Sequence, residues 1–421
     1  MNELKYKNKR LEFSHIDVAA VAKKHRTPFY LYSEEVLRNN YLEFYEGALK
    51  AGLKKPLVCF ALKSNPNLEL LKILANLGSG ADIVSGGELK RALKAGIDPQ
   101  KIVFSGVGKT EEEIKFALKT TKNGIYSFNV ESLEELELIN HCAKKLKRTA
   151  RICFRLNPVV QPKTHKYIST GNKTHKFGLL EKDIISSLKK ANLWSHSKLV
   201  GLSIHIGSQL LDLKATKLAV KRLSEVALNT KAPLEFLDVG GGLGVDYHPD
   251  DRLSAPSIDT YMKVIADTLK QNYFSKCDFN PRVVFEPGRR IVARAGIFVM
   301  SVLRNKVSEN NHFVIVDGGM NDFVRPSLYG AYHGLVPVKE GKSKMPCHVV
   351  GPICETSDCF GSDRMLPPMK SGDLLVLEDT GAYGYSMGSN YNLRGRPTEL
   401  LVKKNKKVKI VNKAQSFEDL T

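Results

Sequence analysis

Eight short β-forming runs separated by segments of helical spacing occupy residues 56–290 of this 421-residue chain. They are PLVCFALKS (from 56), ADIVSG (from 81), KIVFSG (from 101), IYSFNVES (from 125), RICFRLNP (from 151), LVGLSIHIGS (from 199), LEFLDVGGG (from 234) and RVVFEPGR (from 282). Most are continuous apolar stretches rather than alternating ones, as expected of parallel strands buried on both faces. NLELLKILANL, GELKRALKAG, EEEIKFALKT and LEELELINHCAKKL between them carry apolar residues at helical intervals. Strand and helix alternating eight times over roughly 250 residues is the arithmetic of a (β/α)8 TIM barrel. A doubly wound open sheet is the rival, and the strand count favours the barrel.

Polar or small residues stand where these strands end: Lys63, Asp82, Ser105, Asn129, Asn157, His205, Gly240 to Gly242 and Glu286. In a closed parallel barrel the carboxyl ends of the strands form one mouth, so these side chains are expected to converge. Beyond about residue 290 the texture changes. AGIFVMSVLRNKV, HFVIVDGG, CHVVGP and GDLLVLEDTGAYG read as strands with Gly and Pro turns and little helix between them. That is a mainly antiparallel β domain. TPFYLYS, ahead of the barrel, is a further strand that either joins the β domain or leads into the barrel. The expected division is a barrel over 35–288 and a β domain built from 1–34 with 289–421.

Lys and Arg number 64 against 44 Asp and Glu, a net charge of +20. The lysines lie along the polar faces of the expected helices, and the densest run is KKNKKVKI at 403–410. No helix-turn-helix, zinc-finger or RNA-recognition pattern accompanies them, so solvated faces plus a basic tail explain the charge better than nucleic acid does. No apolar stretch approaches the roughly 18–20 residues of a membrane span, and no apolar segment follows the basic start as a secretory signal requires. Seven cysteines, an odd number without CxxC spacing, point to neither a disulfide framework nor a metal site, and to a reducing, cytoplasmic setting.

Several of the strand-end residues carry chemistry. Lys63, leaving a buried strand in CFALKSNPN, is a candidate for Schiff-base formation with an aldehyde, although a strand-end lysine also snorkels to water. GGGLG at 240–244 lets backbone amides approach phosphate oxygens, and tight turns use such clusters equally. HIGSQ at 205–209 offers an imidazole and the Ser208 hydroxyl. EPGRR at 286–290 offers a carboxylate, the small Gly288 and the Arg289 guanidinium. A carboxylate against a pyridine nitrogen keeps it protonated, and an arginine pairs with phosphate or carboxylate. A lysine, a histidine, a phosphate loop and a pyridine carboxylate in one mouth together describe pyridoxal 5'-phosphate.

With these residues the chain resembles the barrel-type pyridoxal-phosphate enzymes, the group of alanine racemase and ornithine decarboxylase, and within it the diaminopimelate decarboxylase family. The likeness runs through FALKSNPN, GADIVSGGEL, the RLNP strand, THKYISTG with KFG, HIGSQ and DVGGGLG. It continues through FEPGR, VDGGMNDFVRPSLYGAYH, GPICETSD, and GAYGYSMGSNYN with RPTE. The resemblance implies Lys63 as the Schiff-base lysine and His205 stacked on the cofactor, with Asp82 also at the cofactor and Glu286 on its ring nitrogen. It implies Ser208, Gly240, Gly241, Gly242, Gly288, Arg289 and Tyr383 around the phosphate. Arg289, Arg325, Tyr329, Glu355 and Tyr383 would hold the substrate. Cys354 would return a proton to the α-carbon, reaching with Glu355 into the partner's site of a homodimer.

The activity so implied is decarboxylation of meso-2,6-diaminopimelate to L-lysine and carbon dioxide, the last step of lysine biosynthesis. Arg289 and Arg325 suit a distal carboxylate, and Glu355 suits the distal ammonium. Relatives acting on ornithine or arginine typically read Cys-Asp where this chain has Cys354-Glu355. An ornithine-, arginine- or polyamine-precursor decarboxylase on the same scaffold is the alternative. A non-catalytic cofactor carrier would have no use for the β domain.

Overall fold

The computed structural model describes residues 4–160, 176–248 and 254–421. The THKYISTG motif at 164–171 lies outside the described residues. All eight runs form strands: Leu57–Ala61, Gly80–Ile83, Ile102–Phe104, Ser127–Val130, Ala150–Leu156, Ser197–Ile204, Phe236–Asp238 and Arg282–Phe285. Each pairs in parallel with its successor, and Val284 of the last strand lies opposite Leu57 of the first, which closes the barrel.

Continuous apolar sequence is what this closure demands, since a barrel strand meets helices outside and other strands' side chains inside. The interior cluster contains Leu57, Cys59, Val103, Tyr126, Cys153, Val200, Phe236 and Val284. Gly201 pairs with Phe236, and a Cβ on it would sit 2.5 Å from the Phe236 ring, so the ring fills the space its neighbour vacates. Burying such a side chain contributes about 1.5–3 kcal/mol.

The helices begin where capping residues precede helical apolar spacing. Ser85 accepts from Glu88 N ahead of Gly86–Lys94. Thr110 and Glu113 form a reciprocal capping box ahead of Glu111–Lys119. Ser132 accepts from Glu135 N ahead of Leu133–Lys145.

By contact, the chain divides into two units. The barrel unit comprises, of the described residues, 41–245 and 254–290, and the β unit 4–40, 246–248 and 291–421. In the β unit a three-stranded antiparallel sheet, Leu4–Lys7, Arg10–Phe13 and Ile16–Asp17, accompanies a nine-stranded sheet. The strand Phe29–Ser33, within TPFYLYS, belongs to the larger sheet. It is buried along its whole length between Gly296–Ser308, antiparallel, and Thr398–Val402, parallel. Asn311–Val316 with Met345–Val350 is another parallel pair, and the other pairings of this sheet are antiparallel. Leu11, Phe13, Phe29, Leu31, Ile297, Val299, Val376 and Leu400 contribute to its core.

The basic run at 403–410 is not a tail. It turns between Thr398–Val402 and the antiparallel strand Val408–Asn412. Lys403 and Lys406 each place Nζ 2.8 Å from the carboxylates of Glu34 and Glu35. In that strand Val408 and Val411 are half-buried while Lys409, Ile410 and Asn412 are exposed, so the run contributes a largely solvated strand, which a count of charges does not show.

Candidate active site

Lys63 lies in a single turn, Leu62–Ser64, just past the first barrel strand. Its Nζ donates to Asp82 Oδ2 on the neighbouring strand, where Asp82 pairs in register with Ala61. Asp82 is fully buried, and its Oδ1 has no hydrogen-bond partner among the described residues. The half-buried ammonium therefore offsets the cost of a carboxylate removed from water.

Glu286 follows the last strand and is also buried. It accepts from Asn129 Nδ2 at 3.3 Å and weakly from Ser105 Oγ at 3.5 Å. Burial, reinforced by the carboxyls of Asp238 and Asp82, pushes Glu286 well above the usual carboxylate range. Burial likewise raises Asp238, whose Oδ1 accepts from Gly240 N at 2.8 Å. A cation placed against Glu286 would reverse its shift and draw out the ionised form.

Three successive glycines line the adjoining loop. A Cβ on Gly240 would lie 2.3 Å from Ile204 O, one on Gly241 2.1 Å from Glu286 O, and one on Gly242 2.3 Å from Gly207 O. Gly240 and Gly242 also adopt φ of +69° and +101°. Only glycine fits here, and the loop packs backbone directly on backbone. Gly241 N donates to His205 Nδ1 at 3.3 Å, which places the proton of the neutral imidazole on Nε2. Burial first, then the charges of Arg155 and Lys63, push His205 well below its ordinary value, so the ring is neutral at pH 7.

Beside the glycines, Arg289 is buried and directs both Nε and Nη2 at Ser208 Oγ, at 3.3 and 3.0 Å. A Cβ on Gly288 would sit 2.9 Å from Ser64 Oγ, so a side chain here would have to push Ser64 aside. A hydroxyl, a guanidinium and glycine backbone form an anion cradle at the mouth that also holds an amine, a neutral imidazole and a proton-holding carboxyl. Lys63, Asp82, His205, Ser208, Gly240 to Gly242, Glu286, Gly288 and Arg289 thus all belong to the barrel unit. They suit a phosphorylated aromatic aldehyde: the amine for its aldehyde, the imidazole for its ring face, the cradle for its phosphate.

The remaining expected residues belong to the β unit. Arg325 opens the short helix Arg325–Tyr329 and is buried, while Tyr329 is half-buried. Cys354 is exposed, and its backbone N donates to Asn392 Oδ1 at 3.0 Å. Glu355 is exposed and accepts from Ser357 Oγ at 2.8 Å. Asp358 anchors their turn by accepting from Ile353 N and Met320 N, both at 2.7 Å. Tyr383, half-buried, adopts a φ of +57°, a left-handed conformation uncommon for a non-glycine residue.

Other polar residues near these groups are not evident from the runs alone. Arg155 points a charge from within the fifth strand to Glu131 Oε1 at 2.6 Å, both buried. Lys109 is buried against Glu135 at 2.5 Å and donates to Asn129 O at 2.9 Å. Glu88 accepts from Val84 N at 2.8 Å and is pushed up to about 7 by burial. A charged residue inside an otherwise apolar strand, as in RICFRLNP, is the signal that finds Arg155. Lys109 and Glu88 lie in ordinary helix-start sequence and leave no such signal.

Residues 45–293 match the family model described as pyridoxal-dependent decarboxylase, pyridoxal binding domain. Over 401 residues the chain is 44% identical to a protein named diaminopimelate decarboxylase from Helicobacter pylori strain J99, covering 94% of this chain and 95% of that one. It is 40% identical to a protein of the same name from Aquifex aeolicus, covering 99% and 96%. The crystal structure of diaminopimelate decarboxylase from M. jannaschii in complex with L-lysine superposes with a TM-score of 0.92 at 38% identity, covering 100% of this chain and 96% of that one.

Proposed function

This chain belongs to the diaminopimelate decarboxylase family of pyridoxal-dependent decarboxylases, and on that premise we propose how its residues convert meso-2,6-diaminopimelate to L-lysine and carbon dioxide. The cofactor is pyridoxal 5'-phosphate. When bound, it supplies an aldehyde for amine exchange and a protonated ring that accepts the electron pair left as the carboxylate departs.

Lys63 would hold the aldehyde carbon, with Asp82 fixing its amine. His205 would lie against the ring face, where a neutral imidazole adds no charge to compete with the ring. Glu286 would face the ring nitrogen and keep its proton there by ionising itself. Ser208, Gly240 to Gly242, Gly288, Arg289 and Tyr383 would hold the phosphate. Arg289, Arg325, Tyr329, Glu355 and Tyr383 would bind the amino-acid end of the substrate that does not react, the arginines taking its carboxylate and Glu355 its ammonium. Cys354 Sγ would deliver the proton that replaces the lost carboxylate.

Cys354 and Glu355 would serve the site of a second copy, which makes a homodimer the smallest active unit. The exposure of their turn, and of Tyr391 and Leu393 on either side of the Asn392 that Cys354 N bonds, supports that arrangement. Seven free cysteines support a cytoplasmic location. Among the described residues no helix is long and apolar enough to cross a membrane.

The observation that carries the reading is the meeting of Lys63, Asp82, His205, Glu286 and the glycine cradle at one end of a closed barrel. Incubation with diaminopimelate, ornithine and arginine in parallel tests it. L-lysine formed from diaminopimelate, with no diamine from ornithine and no agmatine from arginine, is expected. Turnover of ornithine or arginine in preference would overturn the substrate assignment.

A further inference from the structure

Arg325 is held by two aromatic residues drawn from distant parts of the sequence. Its Cζ lies 4.8 Å from the centre of the Tyr247 ring, and its Nη1 is 2.9 Å from His333 Nε2. His333 is completely buried, and its Nδ1 lies 2.8 Å from Glu378 O. A backbone carbonyl only accepts, so Nδ1 carries the proton and Nε2 is left to accept from the guanidinium. The His333 ring in turn packs 4.7 Å from Tyr247 and, edge to face, 4.7 Å from Phe323. Tyr247, His333 and Arg325 therefore form a closed set of contacts, each member touching the other two.

Further contacts brace the set. Arg364 donates to His333 O at 3.2 Å and places its Cζ 3.7 Å from the Tyr332 ring. His248 packs on that ring at 4.0 Å. Tyr247 and His248 stand only three and four residues beyond Gly244, where the GGGLG loop ends. A guanidinium carries substantial rotamer entropy, and fixing it before a ligand arrives removes part of the ordering cost from binding.

We propose that Tyr247 and His333 are positioning residues that orient Arg325 towards the substrate's remote carboxylate and so set selectivity for a substrate bearing one. The idea rests on the assignment of Arg325 under the proposed function. Neither residue touches the reacting carbon in this scheme, so their loss weakens recognition of the far end and spares the chemical step. L-lysine keeps that far end, whereas pentane-1,5-diamine has the same chain length and lacks the carboxylate.

The test uses the holoenzyme, with Tyr247→Leu, Tyr247→Phe and His333→Gln compared with wild type. Tyr247→Leu and His333→Gln are each expected to raise KM for diaminopimelate about tenfold while kcat stays within about twofold, the size of a lost cation–π or hydrogen-bonding contact to a buried guanidinium. L-lysine affinity, read by competition and by calorimetry, falls by the same factor, and affinity for pentane-1,5-diamine holds. Tyr247→Phe keeps the ring face and recovers most of the loss. Equal loss of both ligands, or an unchanged KM in both Tyr247→Leu and His333→Gln, would overturn the proposal. If one variant fails to bind cofactor, the other decides by the same readout. Absence of L-lysine binding to wild type would instead sink the assignment of Arg325 itself.

Discussion

At each of Gly240, Gly241 and Gly242 a carbonyl oxygen lies where a side chain would begin. Gly241→Ala would set a methyl 2.1 Å from Glu286 O and displace both the loop and Glu286. A stability loss of about 1–3 kcal/mol and a marked drop in cofactor affinity are expected, read by thermal melting and cofactor titration. Lys63→Ala should remove the visible absorbance of covalently held cofactor, whereas an unchanged spectrum would place the Schiff base elsewhere. Asp238 gives a pH prediction. Burial raises it above its unfolded value of about 3.8, so the native state binds more protons than the unfolded chain, and stability declines as pH rises from about 4 towards neutrality. Asp238→Asn keeps an acceptor for Gly240 N and removes the titration. It should therefore flatten the melting temperature between pH 4 and pH 7 and raise it most at the upper end. At this scale Lys63, His205, Glu286 and the glycines were legible because each ends an apolar strand. Lys109 and Glu88 were not, because their partners are fixed only by folding, and Arg155 shows in the sequence only as a charge inside an apolar strand.

The barrel strands and the helices between them follow local rules, and one capping box shows how far those rules reach. Thr110 and Glu113 stand three apart ahead of an apolar helical pattern, and both reciprocal bonds form. Thr110→Ala should cost about 1 kcal/mol, lower the melting temperature by a few degrees and leave turnover intact. A loss of activity at constant stability would mean that Gly86 N, which also donates to Glu113 Oε1 at 2.6 Å, couples this cap to the neighbouring loop. TPFYLYS is the contrasting element. Its strand character was plain, and its sheet was not, since apolar residues on both faces suit a barrel and the middle of the β unit alike. Pairing with Gly296–Ser308 and Thr398–Val402 decides between them, and both partners lie more than 250 residues away.

On the scale of the whole molecule, the proposed sharing of sites between two copies would make activity depend on assembly. Lys63→Ala and Cys354→Ala proteins, each inactive alone, should regain part of the activity when mixed under conditions of subunit exchange, because hybrid dimers then contain one intact site. No recovery with exchange demonstrated by a mass-tagged subunit would assign each site to a single chain. Dilution should reduce specific activity in step with dissociation, as followed by sedimentation. The charge of +20 has a plainer consequence here than a nucleic-acid partner. Its densest run turns within a sheet and pairs in part with Glu34 and Glu35, contacts worth about 0–1 kcal/mol each.

From its sequence the chain already determined which segments become strands and helices, that eight of the strands run parallel in a closed ring, and which strand ends carry an amine, an imidazole, a carboxyl and glycine backbone. Those are consequences of period, capping and conformational freedom, and each acts over a few residues. The tertiary structure alone decided that a carbonyl fills the space beside each of Gly240, Gly241 and Gly242, that three acids share one buried neighbourhood, and that Tyr247 and His333 grip Arg325. Such facts depend on which groups lose water together and which atoms meet at contact distance, and no spacing along the chain encodes either.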